Sequence, residues 1–225
     1  MATAGKPSCP TDLSSTNFQI RAKGLFESAD GKDQESSSED GFAAYALKMW
    51  GKISGNPNLE AQGDLRIAIQ RRTFDLYFLM QSSNTCQPPQ FIANKVTGIL
   101  FENKIDHATY FGGNIEYIQG IHMIPCSPVS SILRNPTFGM YTLCFCGRCV
   151  ADIFLAREEW HQYFDNGRGD NIGGGWKGIV HASQAQFDPK AAYNFFAQQN
   201  FDGGWIDGGA SRTWYIVYTA ALANA

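Results

Sequence analysis

Residues 33 to 40 read DQESSSED, five acids and amides around three serines. Two kinds of chemistry use such a stretch. Glu35 and Glu39 stand four apart, a spacing that permits neighbouring carboxylates on one helix face, so that one perturbs the pKa of the other. Ser36 with Glu39, and Ser37 with Asp40, have the spacing of a capping box, in which a hydroxyl takes an orphan backbone N–H of the first turn. On spacing alone, capping is the commoner use of acids in a first helical turn. The two uses are compatible, because a helix N-terminus holds carboxylates in place and stabilises their charge.

The elements that would position these groups are mostly helical. Phe42, Tyr45, Ala46, Met49 and Trp50 fall on one helical face and predict a helix over 37–53. Leu65, Ala68, Ile69, Leu76 and Leu79 predict a second over 59–80, separated from the first by the Asn-Pro at 56 and 57. Asp188-Pro189 reads as an N-cap followed by proline at the first helical position and opens a helix over 189–198. Trp214, Val217, Tyr218 and Ala221 mark a last one over 211–222. Between them, ENKIDHATYFGGNIEYIQGIHMIPCSP has neither helical nor alternating order and carries Asp106, His107, Tyr110, Glu116, Tyr117 and His122 among glycines. Dense polar and aromatic side chains on irregular backbone suit either a binding cleft or a solvated loop. Residues 1–21 are polar and aperiodic and read as a loose tail. The fold class is mainly α, with functional loops.

The net charge of −3 and the lack of any Lys/Arg cluster exclude nucleic acid and acidic membranes as partners. The longest apolar windows, such as TWYIVYTAALA, are too short to span a bilayer, and MATAGKPSCPTDLSSTNFQ lacks the apolar core of a signal peptide. Of six cysteines, Cys144, Cys146 and Cys149 sit together in CFCGRC while Cys9, Cys86 and Cys126 are scattered, which is not a disulfide framework. A zinc knuckle on the three with His161 is disfavoured, since C-x-C-x2-C lacks the paired C-x2-C spacing of structural zinc sites.

Three long segments, in order, carry a resemblance: GLFESADGKDQESSSED, then NKVTGILFENKIDHATYFGGNIEYIQGIHMIP, then NFFAQQNFDGGWIDGGASRTWY. They resemble the C-terminal region of glycoside hydrolase family 81, the endo-1,3-β-glucanases, from about Ala22 to Phe138 and again from about Arg157 onward. The resemblance implies that residues 22–225 form an incomplete (α/α)6 barrel, the later part of the family's catalytic domain. It implies internal cleavage of β-1,3-glucan with inversion, by a monomer in the cell wall or outside the cell, without metal or cofactor. In the family the motif E-S-x-S-E supplies a base and a supporting carboxylate, here Glu35 and Glu39, and the opposite assignment of the two stays open. Asp33, Asp106, His107, Tyr110, Glu116 and His122 would then bind the glucan.

Two departures accompany the likeness. The family's general acid is an aspartate far upstream of the motif, a position ahead of residue 1, so the chain alone is expected to be inactive; a non-catalytic glucan-binding fragment is the alternative. In addition, GMYTLCFCGRCVADIFLA, residues 139–156, interrupts the family pattern. Gly139-Met140-Tyr141 can be encoded through GTATGT, a 5′ splice signal, and Phe154-Leu155-Ala156 through a segment ending in TAG. Excision of roughly 51 nucleotides leaves NPTF-Ala-REEW in frame, the mark of a processing scar. Such a segment is expected to form a poorly packed surface excursion.

Overall fold

The computed structural model describes residues 33–34, 36–101, 106, 108–134 and 155–224. Strand β1 (Asp33–Gln34) pairs antiparallel with β2 (Leu100–Phe101), Asp33 opposite Phe101 and Gln34 opposite Leu100. This ladder ties the chain just ahead of the first helix to the segment that follows Ile99. Helix α1 (Ser37–Ile53) starts where expected: Ser36, in extended backbone, is the N-cap and its Oγ accepts from the Glu39 N–H at 3.2 Å. Gly55, at φ 68, makes the turn that follows, in a backbone region open to glycine. Asn56 then caps α2 (Pro57–Thr73), accepting from the Leu59 N–H at 3.1 Å, with Pro57 opening the first turn. The helix expected over 59–80 thus begins earlier, and it changes at Phe74–Phe78 into a π-helical turn before Leu79 bridges Val96.

The face that α1 buries differs from the aromatic stripe read in the sequence. Phe42 and Trp50 are 45% and 65% exposed, whereas Ser37, Asp40, Gly41, Ala44 and Gly51 are buried. The cause is the closeness of α2. A Cβ on Gly51 would lie 2.2 Å from the Glu60 nitrogen, and one on Gly63 would lie 2.5 Å from the Lys48 backbone. Helices that approach at backbone level must meet through their smallest residues, which leaves the large apolar side chains on the outside. On α2, likewise, Leu65 is exposed while Gly63, Ile67, Gln70 and Thr73 are buried.

Below this pair, Phe74 and Phe78 meet edge to face at 5.7 Å and pack with Leu79, Val96, Val129 and Leu133. Four short helices follow: α3 (Pro89–Ile92), α4 (Ile115–Gly120), α5 (Ser130–Arg134) and α6 (Leu155–Glu159), the last running into a π turn at Trp160–Phe164. Then come α7 (Gly175–Gln184), α8 (Pro189–Ala197) and α9 (Arg212–Ala223), the last two capped by Asp188 and Ser211 and within a residue of the spans expected. The sequence pattern does not show α7, because its cap is Gly174 at φ 60 with no side-chain bond and its start lies in a glycine run. It is nonetheless the middle of this half, with Ile179, Val180 and Ala182 buried and contacts to α4, α6 and α8. Successive helices pack as hairpins, α1 on α2 and α8 on α9, the arrangement of an (α/α)6-type fold.

Arg134, at the end of α5, forms an ion pair with Glu159, at the end of α6; their side chains are 4% and 1% exposed. The greater part of the excursion expected at 139–156, including its three cysteines, lies outside the described residues. Its last residue does not behave as an excursion, since Ala156 is buried within α6. Among the described cysteines, Cys126 is free and Cys86 is disulfide-bonded, a pairing that the scattered spacing does not reveal.

The glycine contact between α1 and α2 is testable through stability. Gly51→Ala places a methyl against the Glu60 backbone and is expected to destabilise by about 1 to 3 kcal/mol, the usual range for overpacking. Gly173→Ala, where no atom lies within 4 Å of the added carbon, is the control. Equal melting temperatures for the two variants would show that the helices do not touch there.

Candidate active site

The start of α1 is held from three sides by its serines. Ser36 Oγ lies 3.0 Å from Ser38 Oγ and donates to the Ile124 carbonyl at 3.2 Å. Ser38 Oγ also donates to the Ile124 carbonyl and, at 3.4 Å, to that of Ile121. Ser37 Oγ lies 3.0 Å from His122 Nδ1, with the Ser37 N–H pointing at the same nitrogen from 3.4 Å. Every serine of the ESSSE motif therefore turns inward to the 121–124 segment. With the serines committed, Glu39 is left exposed, and its carboxylate has no hydrogen-bond or ion-pair partner among the described residues. Glu35 lies outside the described residues.

His122 was expected to bind glucan; the structure gives it a different place. It is fully buried, and its Nε2 lies 2.8 Å from the Thr97 carbonyl. A carbonyl can only accept, so the proton sits on Nε2, which leaves Nδ1 to accept from Ser37. The ring is neutral: burial lowers its pKa to about 4 from 6.5, and the Arg134 guanidinium acts in the same direction against the raising effect of the Thr97 bond. Arg134 in turn donates to the His122 carbonyl at 2.9 Å while pairing with Glu159. Burial pushes the Glu159 carboxyl up and Arg134 pulls it back. His122 thus positions the helix start and is enclosed by protein.

The other expected site residues divide into two sets. Asp33, buried in β1, accepts from the Tyr110 hydroxyl, so these two are brought together. Tyr110 and Phe111 are 57% and 48% exposed at the tip of a turn closed by Thr109 and Gly112, and Phe111 stacks on Trp176 at 5.6 Å. Asp106 is spent on its own turn, accepting from the Ala108 N–H at 3.2 Å, and Glu116, in the first turn of α4, accepts from Asn114 Nδ2 at 3.1 Å. His107 lies outside the described residues.

Glu39 opens on a cleft of about 270 Å³ walled by the 124–126 segment, the 207–210 loop and the start of α9, with Asp207 and Trp214 on its sides. None of Asp33, Asp106, Tyr110, Glu116 and His122 is among its walls. The sequence pattern does not signal Asp207 and Trp214 as partners of Glu39, because more than 160 residues separate them from it. Among the described residues no three His, Cys, Asp or Glu side chains come together to hold a metal, and no helix is long and apolar enough to cross a membrane. The arrangement can place an unpaired carboxylate, rigidly mounted, beside an aromatic-walled groove.

Comparison with known proteins decides the family. The profile of the glycosyl hydrolase family 81 C-terminal domain matches residues 20–216. The chain belongs to glycoside hydrolase family 81. Family 81 relatives include a glucan endo-1,3-beta-D-glucosidase of Arthroderma benhamiae, 52% identical over 88% of this chain and 20% of that protein. Glucan endo-1,3-beta-D-glucosidase 2 of Saccharomyces cerevisiae is 45% identical over 90% of this chain and 24% of its own length. This chain therefore spans about a fifth to a quarter of the length of these relatives. Among solved structures, a mutant of the family 81 enzyme of Clostridium thermocellum shares the fold, with a TM-score of 0.64 over 87% of this chain and 24% of the other, at 20% identity.

The histidine that steadies this family 81 site makes the fold sensitive to acid. Because the folded pKa of about 4 lies below the value of 6.5, the unfolded chain takes up a proton that the fold refuses. Stability is therefore lost as pH falls from 6.5 through about 4, by up to about 3 kcal/mol at one pKa unit per 1.36 kcal/mol. His181, also lowered by burial, acts with the same sign. Urea unfolding at a series of pH values should show the decline, and His122→Gln should flatten it while weakening the protein near neutrality. The same slope in the variant would locate the proton uptake elsewhere.

Proposed function

We propose that this chain is the base-bearing part of an endo-1,3-β-glucanase that cuts internal 1,3-β-glucosidic bonds with inversion. The observation that carries the reading is the ESSSE motif at a capped helix start, its three serines pinned inward and Glu39 left exposed at a cleft. Inversion needs one carboxylate to activate a water and a carboxylic acid across the sugar to protonate the leaving oxygen, roughly 6.5 to 9.5 Å apart. Glu35 is the base in this reading, and Glu39 orients the same water. The general acid is the aspartate that the family carries ahead of this motif.

The relatives named as glucan endo-1,3-beta-D-glucosidases support the substrate class. The exposed Tyr110 and Phe111, with Asp33 fixing the tyrosine hydroxyl, offer a stacking surface for sugar faces, with Asp106 on the segment before them and Glu116 in the first turn of α4 after them. β-1,3-Glucan is a wall polymer, which locates the work of such an enzyme in the cell wall or outside the cell, as a monomer without cofactor. The exposed aromatic pair also favours a second reading, glucan binding without cleavage.

Kinetics separate the two. In a chain that also carries the family's general acid, Glu35→Gln is expected to lower kcat by about 10² to 10⁴ with little change in KM. Glu39→Gln should cost a comparable factor, and the losses should not add, because one water serves both. Full laminarin hydrolysis by the double variant would refute the assignment. Residues 1–225 by themselves are expected to be retained on insoluble 1,3-β-glucan without releasing reducing ends. Robust cleavage by them would mean that the acid lies within these residues.

A further inference from the structure

We propose that the cleft beside Glu39 is a subsite for a single glucose ring of the glucan, in which Trp214 stacks on the ring and Asp207 accepts from its hydroxyls. The proposal deepens the glucanase reading and rests on it.

Trp214 is presented to the cleft in one orientation. Its backbone N–H is taken by the N-cap Ser211 Oγ at 3.1 Å, its indole Nε1–H donates to the Cys126 carbonyl at 3.0 Å, and its ring stacks on Tyr218 at 5.8 Å. With the polar edge committed and the ring still 37% exposed, what remains is an apolar face of fixed tilt. Such a face complements the C–H faces of a pyranose, and it costs little entropy to order on binding. The helix that carries it is anchored in turn: Arg212 donates to the Phe196 and Gln198 carbonyls, both at 2.8 Å, and lies over the Phe201 ring.

Asp207 faces Trp214 in the same walls. Its Oδ1 accepts from the Gly209 N–H at 2.6 Å, which fixes the side chain, while Oδ2 has no partner among the described residues. The loop below it cannot shift easily, since it rests on the start of α7 so closely that a Cβ on Gly175 would lie 2.6 Å from Asp207 Cα. A half-buried carboxylate oxygen of fixed position and no partner among the described residues is an acceptor awaiting a donor, and sugar hydroxyls are donors. The cleft, at about 270 Å³, is close to the roughly 300 Å³ at which small-molecule sites begin, which gives room for one sugar ring. Glu39 on its wall makes the bound ring one that adjoins the reaction centre.

Binding of laminarihexaose to the 225-residue chain, read by calorimetry, tests this, with cellohexaose as the β-1,4 control. Trp214→Ala and Asp207→Asn are each expected to raise Kd by about tenfold, the worth of one stacking contact or one charge-assisted hydrogen bond. Trp214→Phe, which keeps a ring, should retain most of the affinity. Asp207→Asn keeps the oxygen that accepts from Gly209, so its melting temperature should match that of the parent chain. If the parent binds laminarihexaose and neither Trp214→Ala nor Asp207→Asn changes Kd, the subsite is overturned while the glucanase reading stands. If the parent binds neither the hexaose nor insoluble 1,3-β-glucan, both fall.

Discussion

A neutral imidazole between a carbonyl and a serine is the constraint on which this structure turns. His122 donates to Thr97 and accepts from Ser37, the pattern of a neutral ring with its one proton on Nε2, which burial favours over the cation. Through that ring the start of α1 is connected to the chain at 97, and through the His122 carbonyl it is connected to Arg134 and Glu159. The first turn of α1 cannot drift without breaking bonds that no water can replace, because the histidine is wholly enclosed. A carboxylate raised on such a turn is held in place by the fold beneath it, with no side-chain partner among the described residues.

How much of this was legible depends on distance along the chain. Caps and helix ends are the most readable features because they are local: Ser36, Asn56, Asp188 and Ser211 each bond a nitrogen three residues on, and the sequence shows Ser36 and Asp188 as caps, while Asn56 reads only as a break and Ser211 as the first residue of its helix. The buried faces of α1 and α2 were misread. A pattern of large apolar residues assumes that the core takes the large ones, whereas a contact at backbone level takes glycine and excludes Phe42, Trp50 and Leu65. Helix α7 escaped notice because a glycine at positive φ carries no side-chain signal of a cap.

The site was legible as a set of residue types and less so as a set of roles. Family likeness singles out Glu39, and its exposure at a cleft suits a chemical task. His122 looked like a ligand-facing histidine because polar residues on irregular backbone resemble a cleft lining; what reveals its burial is its pairing with Ser37 across 85 residues. The serines looked like helix punctuation, and one of them is, but all three also fasten α1 to the 121–124 segment. Asp207 and Trp214 were invisible as site residues because only the tertiary fold brings the start of α1 and the start of α9 to one cleft.

The ion pair of Arg134 with Glu159 has a consequence in the statistics of chain closure. By clasping the ends of α5 and α6 it fixes the two ends of the stretch of chain between them, which counts as one closed loop in the entropy of closure. The entropic cost of closing a loop grows only as the logarithm of its length. With the interrupting segment the loop holds roughly 24 residues, and without it roughly seven, a difference of only about 1 kcal/mol by (3/2)RT ln n. The clasp, made by residues that belong to the family-like segments on either side, is the same for both lengths. A fold built this way would be nearly indifferent to how much chain runs through that one point, and a processing scar at 139–156, if the segment is one, would carry a thermodynamic penalty no larger than that of a single weak substitution.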